Sequence, residues 1–347
     1  MTDDRNGIHA INIMLNEIKK SIETKYKIHT EIVRDSPIVD IKYNYDKLYY
    51  PADTITKSSV YTRWLNEHEI LRTQMTSCIP KILPNIKEDI ILMCPGIVYR
   101  RDVVDKTHVG EPHQMDIWLV SKSRKYTRED LLELISCVVN AVLPDVKWRY
   151  NETSHYYTKD GIEVEILINN SWLEILECGL ILPKLLDDNG LNSDEWSGLA
   201  LGIGLDRAVM IRKQIDDIRI LRSENPNISK QMLDLKKYKQ VSKYQKVKRD
   251  LSIATYIDSD IEIIGDDIRN IMRDNVSKIE EIIQVSETSY EQLPKHVSER
   301  LGMDDSMKNI LLRITLCSLE YQISSEEANE IYNKIYSNIH KGSVGYI

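Results

Sequence analysis

The sequence predicts an α+β protein: an antiparallel sheet flanked by helices, followed by a second, smaller α/β sandwich. Three observations carry this reading. Strand-like runs between residues 89 and 204 are joined by polar loops and an Asn-Asn turn, with no strand–helix–strand repeat of the kind a parallel sheet needs. One well-marked helix, Thr127–Leu143, interrupts them. After a polar, Lys-rich stretch the pattern restarts as strand, helix, strand, strand, helix.

Taken in order, Arg5–Thr24 sets Ile8, Ile11, Met14, Leu15, Ile18 and Ile22 at helical spacing. The Tyr-rich stretch after it, broken by Pro37 and Pro51, shows no clear period. From Asp89, DIILMCPGIVYRRDVV and HQMDIWLV read as strands joined by a polar loop over 105–112. In Thr127–Leu143, Thr127 is placed to cap with Asp130 three residues on, and Leu131, Leu132, Leu134, Ile135 and Val138 form the apolar stripe. IEVEILI (162–168) and SWLEILECG (171–179) are strands, with Asn169-Asn170 as their turn. LALGIGLDRAVMIRKQI is a Gly-punctuated strand running into a helix. From Ile218 to Lys246 the composition turns polar and basic, as a linker arm would.

Beyond it come a strand (Arg249–Ile257), a helix (Gly265–Arg273), two strands (Lys278–Val285 and Lys308–Leu319) and a helix (Ser325–His340). Ser324 and Glu327 can form a capping box, Ile331, Ile335 and Ile339 line one face, and Gly342 is placed to end the helix. With a last strand at Ser343–Ile347 this is a ferredoxin-like order. The expected domains are 1–222 and 247–347, joined by an arm at 223–246.

The chain has 347 residues, room for two domains, with 42% apolar and 29% charged residues, a globular balance. Its apolar runs are short and broken by charge, so no membrane-spanning helix is expected. MTDDRNGIHAIN has no basic segment leading into an apolar one, so no secretory leader is expected. Five scattered cysteines form no CxxC pair, which excludes a recognisable zinc knuckle and suits a reducing cytoplasm. At net charge −8, a nucleic-acid partner would need a local basic face. There are 19 Tyr and 5 Trp but no Phe.

Three features can carry chemistry. Val98-Tyr99-Arg100-Arg101-Asp102 ends a strand and is followed after a loop by Glu111-Pro112-His113-Gln114-Met115-Asp116; an Arg there can hold a phosphate with a rigid fork. Gly202-Ile203-Gly204-Leu205-Asp206-Arg207 lets a ligand approach the backbone and sets Arg207 at a strand–helix junction. Trp172-Leu173-Glu174-Ile175-Leu176-Glu177 offers Glu174 to a metal–triphosphate. Each alone also reads as structure: a tight turn with a surface ion pair, a solvated strand Arg, a Glu on a wet face. The Walker loop is absent, and the Gly run lacks the strand–helix–strand setting of a dinucleotide fingerprint.

Together, and in this order, the three features resemble the core of the class II aminoacyl-tRNA synthetases. The resemblance extends to Leu71–Ser77, Pro95–Asp102, Thr107-His108 with His113-Gln114, Trp172–Ile175 with Cys178-Gly179, Ser197–Gly202 and Ile215–Arg219, which are similar to the phenylalanyl-tRNA synthetase catalytic subunit. The C-terminal part of the chain, beginning with Val247-Lys248-Arg249-Asp250-Leu251-Ser252, resembles that family's ferredoxin-fold anticodon-binding domain. Nearly the whole chain is covered, in the arrangement of the short single-chain forms.

The resemblance implies ATP and Mg²⁺ as cofactors. It implies a small-molecule amino acid and tRNA as partners, no membrane, and a monomer or a homodimer built through Arg5–Thr24. Arg100 and Arg207 would be catalytic, Arg100 on the α-phosphate and substrate carboxylate and Arg207 on the γ-phosphate. Glu174 would bind Mg²⁺, with Asp102 and His108 near adenine and phosphate. Gln74, Thr76, Gln114 and Asp116 would recognise the ammonium group, and Leu199, Ala200 and Leu201 would line the side-chain pocket. The lysines from Lys236 to Lys248, with Arg249, read as a solvated linker or as an RNA contact; Lys248 and Arg249 are the expected tRNA-binding pair. The implied activity is activation of phenylalanine, or a close aromatic analogue, as adenylate, and transfer to tRNA. The alternatives are a synthetase-like enzyme using another amino acid or a non-tRNA acceptor, and a non-catalytic tRNA-binding paralogue.

Four departures stand out. Leu199 and Leu201 replace residues that are commonly Phe in the family, and Asp116 stands where Glu is usual. Glu177 replaces a small residue, and the family's Phe-Pro-Phe-type segment is replaced around Ser154-His155-Tyr156-Tyr157-Thr158. A synthetase for phenylalanine that itself contains none would still be translated when charged tRNA for that amino acid is scarce.

Overall fold

A seven-stranded mixed sheet organises the first two-thirds of the chain, as seen in a computed structural model that describes residues 1–59, 61–101, 105–241 and 244–343. Helix α1 (Ala10–Tyr26) leads into three short strands, β1 (Thr30–Ile32), β2 (Ile38–Asp40) and β3 (Glu69–Leu71). Strands β4 (Ile90–Ile97) and β5 (His113–Ser121) come next, then helix α2 (Arg128–Val142) and strands β6 (Trp148–Glu152), β7 (Thr158–Ile168) and β8 (Ser171–Ile181). Strand β9 (Ser197–Gly204) runs directly into helix α3 (Leu205–Lys213). The sheet order is β1-β4-β5-β9-β8-β7-β6. Every pairing in it is antiparallel except β1 with β4. β2 and β3 pair apart from it.

Local chemistry sets these elements. The α2 capping box forms as expected: Thr127 accepts from the Asp130 amide while Asp130 accepts from the Thr127 amide. Asn169 and Asn170 take φ of +50° and +63°, the left-handed pair that a tight β7–β8 turn needs and Asn tolerates. Helix α1 starts at Ala10 rather than Arg5, because His9 caps it and Asn12 reaches back to the His9 amide; Ile8 lies outside and is exposed. The aperiodic stretch after α1 is held by side chains instead of ladders. Buried Arg72 donates to the carbonyls of Asp35, Ser36 and Ile97, and lies over Gly96, where a Cβ would stand 2.3 Å from its Nη2.

Strand β10 (Val247–Tyr256), helix α4 (Ile261–Met272), strand β11 (Ile279–Ser289), helix α5 (Lys295–Leu301), strand β12 (Met307–Leu316) and helix α6 (Ser325–Ile339) complete the chain. Their sheet order is β10-β12-β11, antiparallel throughout, with the core between it, α4 and α6. β12 therefore lies between β10 and β11, the arrangement a ferredoxin-like order demands. Helix α4 begins four residues earlier than Gly265, where Asp260 caps it. Ser324 accepts from the Glu327 amide, but Glu327 itself bonds to Lys278 and Tyr321, so only half a capping box forms. Helix α6 ends at Ile339, ahead of Gly342. The expected last strand falls largely on residues 344–347, outside the described residues.

Two compact units emerge. One is Met1–Arg100, Glu111–Ile215 and Lys230–Tyr238; the other is Arg101–Gly110, Asp216–Ser229 and Lys239–Ile347. Residues of the expected arm thus fall in both. They include short helical turns with Ile228 and Met232 buried, and Asp234 and the Lys236 carbonyl satisfy the buried Lys213 ammonium. No helix among the described residues is long and apolar enough to cross a membrane.

Candidate active site

Strand register places some of the expected residues of the first unit on one face. One rung crosses the sheet through Cys94, Asp116, Gly202, Glu177 and Glu163, on β4, β5, β9, β8 and β7. Residues paired across strands face the same way, so Asp116 and Glu177 rise from one face with Gly202 between them. The neighbouring rung sets Trp118 beside Ala200 and Gly179 on that face.

Asp116 is 6% exposed, and its Oδ2 accepts from Thr76 Oγ1 at 2.5 Å. Burial pushes its carboxyl up to about 6, against the Thr76 hydrogen bond and the Arg100 charge. Gln74 is fixed at both ends of its amide: Nε2 donates to the Asn44 carbonyl at 2.8 Å and Oε1 accepts from Tyr50 Oη at 3.3 Å. Burial lifts the Tyr50 hydroxyl to about 12, so it stays a neutral donor. Arg100, just past β4, donates to the Thr73 carbonyl at 2.7 Å and reaches Gln114 Oε1 at 3.5 Å.

Arg207 sits in the first turn of α3 and donates to the Glu174 carbonyl at 3.0 Å, with Glu174 Oε2 3.7 Å away. Burial pushes the Glu174 carboxyl up; Arg207 opposes it, and Glu177 and Glu163 add to it. Asp206, the preceding residue, locks this turn to β5: it accepts from the His113 amide at 2.5 Å and lies 3.2 Å from His113 Nδ1, both residues buried.

The register splits one expected trio. Ala200 shares the face of Asp116, but Leu199 and Leu201 pair with Leu119 and Ile117 on the opposite face, where both are buried. The expectation that the two leucines line the side-chain pocket is thereby corrected: strand alternation cannot aim residues 199, 200 and 201 the same way. Asp102 lies outside the described residues. His108 belongs to the second unit, with its Nδ1 2.8 Å from Asp105 Oδ2. Also in that unit, Lys248 is exposed on β10, and Arg249 donates to Asn329 Oδ1 at 3.0 Å.

Sequence reasoning missed the walls of the site. Tyr50 meets Tyr156 with ring centroids 4.8 Å apart, and Tyr157 stacks on Trp118 at 6.0 Å. His155 Nε2 lies 3.2 Å from Glu177 Oε2. That contact holds the Glu177 carboxyl below the ordinary range despite partial desolvation, with Arg100 helping. The only signal in the sequence is that residues 154–158 and Glu177 both depart from the family pattern.

Chemically, the first unit presents two guanidinium groups braced by backbone carbonyls and a carboxylate beside one of them. It also presents the buried Asp116 carboxyl bonded to Thr76, with Gln114 two residues along the same strand and Gly202 beside it. Glu174 fits a magnesium ion as one of the one or two carboxylates such an ion takes when phosphates supply the rest. Among the described residues no group of three or more acidic, His or Cys side chains is placed to hold a metal unaided.

The family described as tRNA synthetases class II core domain (F) matches residues 2–232. The chain is 28% identical to the chloroplastic/mitochondrial phenylalanine–tRNA ligase of Arabidopsis thaliana, over 97% of this chain and 77% of that protein. It is 30% identical to the phenylalanine–tRNA ligase alpha subunit of Prochlorococcus marinus subsp. pastoris, over 51% of this chain and 52% of that subunit. With the alpha subunit of Actinobacillus pleuropneumoniae serotype 5b the identity is 31%, over 61% and 64%. The chain thus spans about half to two-thirds of the alpha subunits it matches. A solved pyrrolysyl-tRNA synthetase from Desulfitobacterium hafniense overlays 63% of this chain and 75% of its own at a TM-score of 0.49 and 16% identity.

Proposed function

The chain belongs to the class II tRNA synthetase core family, and on that premise we propose that it activates phenylalanine, or a close aromatic analogue, with ATP and transfers it to tRNA. The observation that supports this is a chain of contacts: Thr76 bonds Asp116, Arg100 reaches Gln114 on the same strand as Asp116, and Arg207 braces Glu174, whose carboxyl also feels the charges of Arg100 and Glu177. The similarity to an organellar phenylalanine–tRNA ligase over 97% of the chain supports it, since that match extends well past residue 232.

In this reading the substrate ammonium is held by Asp116 with Thr76, Gln74 and Gln114, so the carboxylate is presented to the α-phosphorus. A carboxylate oxygen forms the new P–O bond as pyrophosphate leaves with the electron pair of the broken bond. A tRNA hydroxyl then displaces AMP from the acyl carbon. Magnesium, when bound by Glu174 and the phosphates, supplies charge neutralisation on the triphosphate. Arg100 steadies the α-phosphate and Arg207 the γ-phosphate, through charge and orientation rather than a covalent enzyme group. Asp102 and His108 attend the nucleotide. Lys248 and Arg249 contribute phosphate contacts to tRNA. The domain division 1–222, 223–246 and 247–347, a monomeric or homodimeric state and a cytoplasmic location complete the reading; the five free cysteines suit a reducing compartment.

Amino-acid-dependent ATP–pyrophosphate exchange tests it. Exchange with an aromatic amino acid is expected, followed by charging of tRNA, and Arg207→Ala should lower exchange by at least about a hundredfold. No exchange with any amino acid, with or without tRNA, would sink the catalytic reading.

A further inference from the structure

We propose that the amino-acid pocket is built for an aromatic side chain carrying a hydrogen-bond donor, with Glu177 as acceptor and His155 as the residue that positions it. This rests on the activity proposed above and names the substrate class more closely.

Asp116 and Glu177 stand on the same rung and face, one strand removed from each other across Gly202. At ordinary strand spacing their backbones are about 10 Å apart, a span suited to an aromatic amino acid lying between them. Gly202 keeps that span open. Its φ is not positive, so the backbone there does not require glycine. A Cβ would stand 3.4 Å from Asp116 Oδ1 and otherwise meet nothing within 4 Å. What glycine provides at this position is space.

The two ends of the gap differ. Asp116 is buried and bonded to Thr76, placed for the ammonium. The Glu177 side chain is 49% exposed, and it is held ionised by His155, itself 13% exposed, and by Arg100. The walls between are aromatic: Tyr157 stacked on Trp118, and Tyr50 against Tyr156. A plain hydrocarbon ring in this slot would cover half of an ionised carboxylate and give it nothing in return. A ring bearing a hydroxyl or amino group would donate to it. Sites built to hydrogen-bond such a group discriminate strongly against the analogue that lacks it, whereas apolar pockets barely distinguish the two.

The test is ATP–pyrophosphate exchange with phenylalanine, tyrosine, meta-tyrosine, 3,4-dihydroxyphenylalanine, 4-aminophenylalanine and leucine, reported as kcat/KM. At least one donor-bearing aromatic should exceed phenylalanine by about tenfold or more, less than a fully enclosed acceptor would give because Glu177 is half exposed. In Glu177→Gly the ratio should collapse toward one or invert. In the near-isosteric Glu177→Gln, which guards against a folding defect, it should fall. His155→Phe should lower the same ratio, whereas a merely structural pair would alter rate without altering preference. Phenylalanine preferred over every donor-bearing analogue, or a ratio that neither Glu177 variant moves, would overturn the inference and leave the activity standing. Absence of exchange with every amino acid would overturn both.

Discussion

Residues 199, 201 and 203 of β9 and residues 200, 202 and 204 lie on opposite faces of one strand, and the two sets differ in kind. Leu199, Leu201 and Ile203 pair with Leu119, Ile117 and Met115, and none of the six is more than 2% exposed. Ala200, Gly202 and Gly204 pair with Trp118, Asp116 and Gln114. On the first face volume is filled, which is what stabilises a close-packed interior. On the second it is withheld, and the polar groups beside the gaps are the ones proposed to hold a ligand. In the proposed reading, stability and recognition fall on alternate letters of the same six residues.

The largest effect expected from breaking this division is on the filled face. Leu201→Ala removes a fully buried side chain from a closely packed layer, and should cost about 2–5 kcal/mol in urea denaturation. The KM for the amino acid should move little. A raised KM with unchanged stability would return Leu201 to the pocket.

On the other face, Asp116 gives a second, somewhat smaller effect with a definite sign. Its carboxyl titrates near 6 in the folded chain against an ordinary 3.8, so the folded state favours the neutral form. That contribution is fully present below about pH 4 and is lost as pH rises through 6, by at most about 3 kcal/mol. Binding of an ammonium needs the ionised form, so the amino-acid KM should fall over the same rise. Stability and affinity then run in opposite directions with pH. Asp116→Asn should flatten the stability step and weaken binding at every pH; a step that survives in this variant would assign it to another group.

Legibility in the sequence divides along the same line. Elements with a strong local signal can be read: the Asn169-Asn170 turn, the Thr127–Asp130 box, and the strands and two longer helices after residue 246, though not the short helix α5 that joins β11 to β12. Single residues chemically suited to phosphate or metal, such as Arg100, Glu174 and Arg207, also stand out in the sequence. Face is not legible at β9, because glycine and alanine between leucines carry no contrast between polar and apolar, and the family resemblance sends Leu199, Ala200 and Leu201 alike to the pocket. His155 and Glu177 are 22 positions apart and meet only through the pairing of β7 with β8, which no local pattern states. The segment 27–85 is opaque for another reason: its order depends on Arg72 and Asn44 bonding to distant partners, not on period.

The smallest effect on stability is the sharpest test of withheld volume. Gly202→Ala adds one methyl group next to Leu201 in sequence but on the other face. The backbone there accepts a side chain, and the nearest atom, Asp116 Oδ1, would lie at ordinary contact distance of 3.4 Å. Replacing glycine by alanine in a strand should leave stability unchanged or raise it by up to about 1 kcal/mol. The same methyl group occupies the floor between Asp116 and Glu177, and one methylene's worth of misfit in a pocket costs roughly tenfold or more in kcat/KM. A variant that melts as high as the parent and binds its amino acid about tenfold more weakly would show that the glycine serves the ligand. Unchanged kcat/KM would mean that the substrate does not cross this rung, and the site would have to be redrawn nearer Ala200.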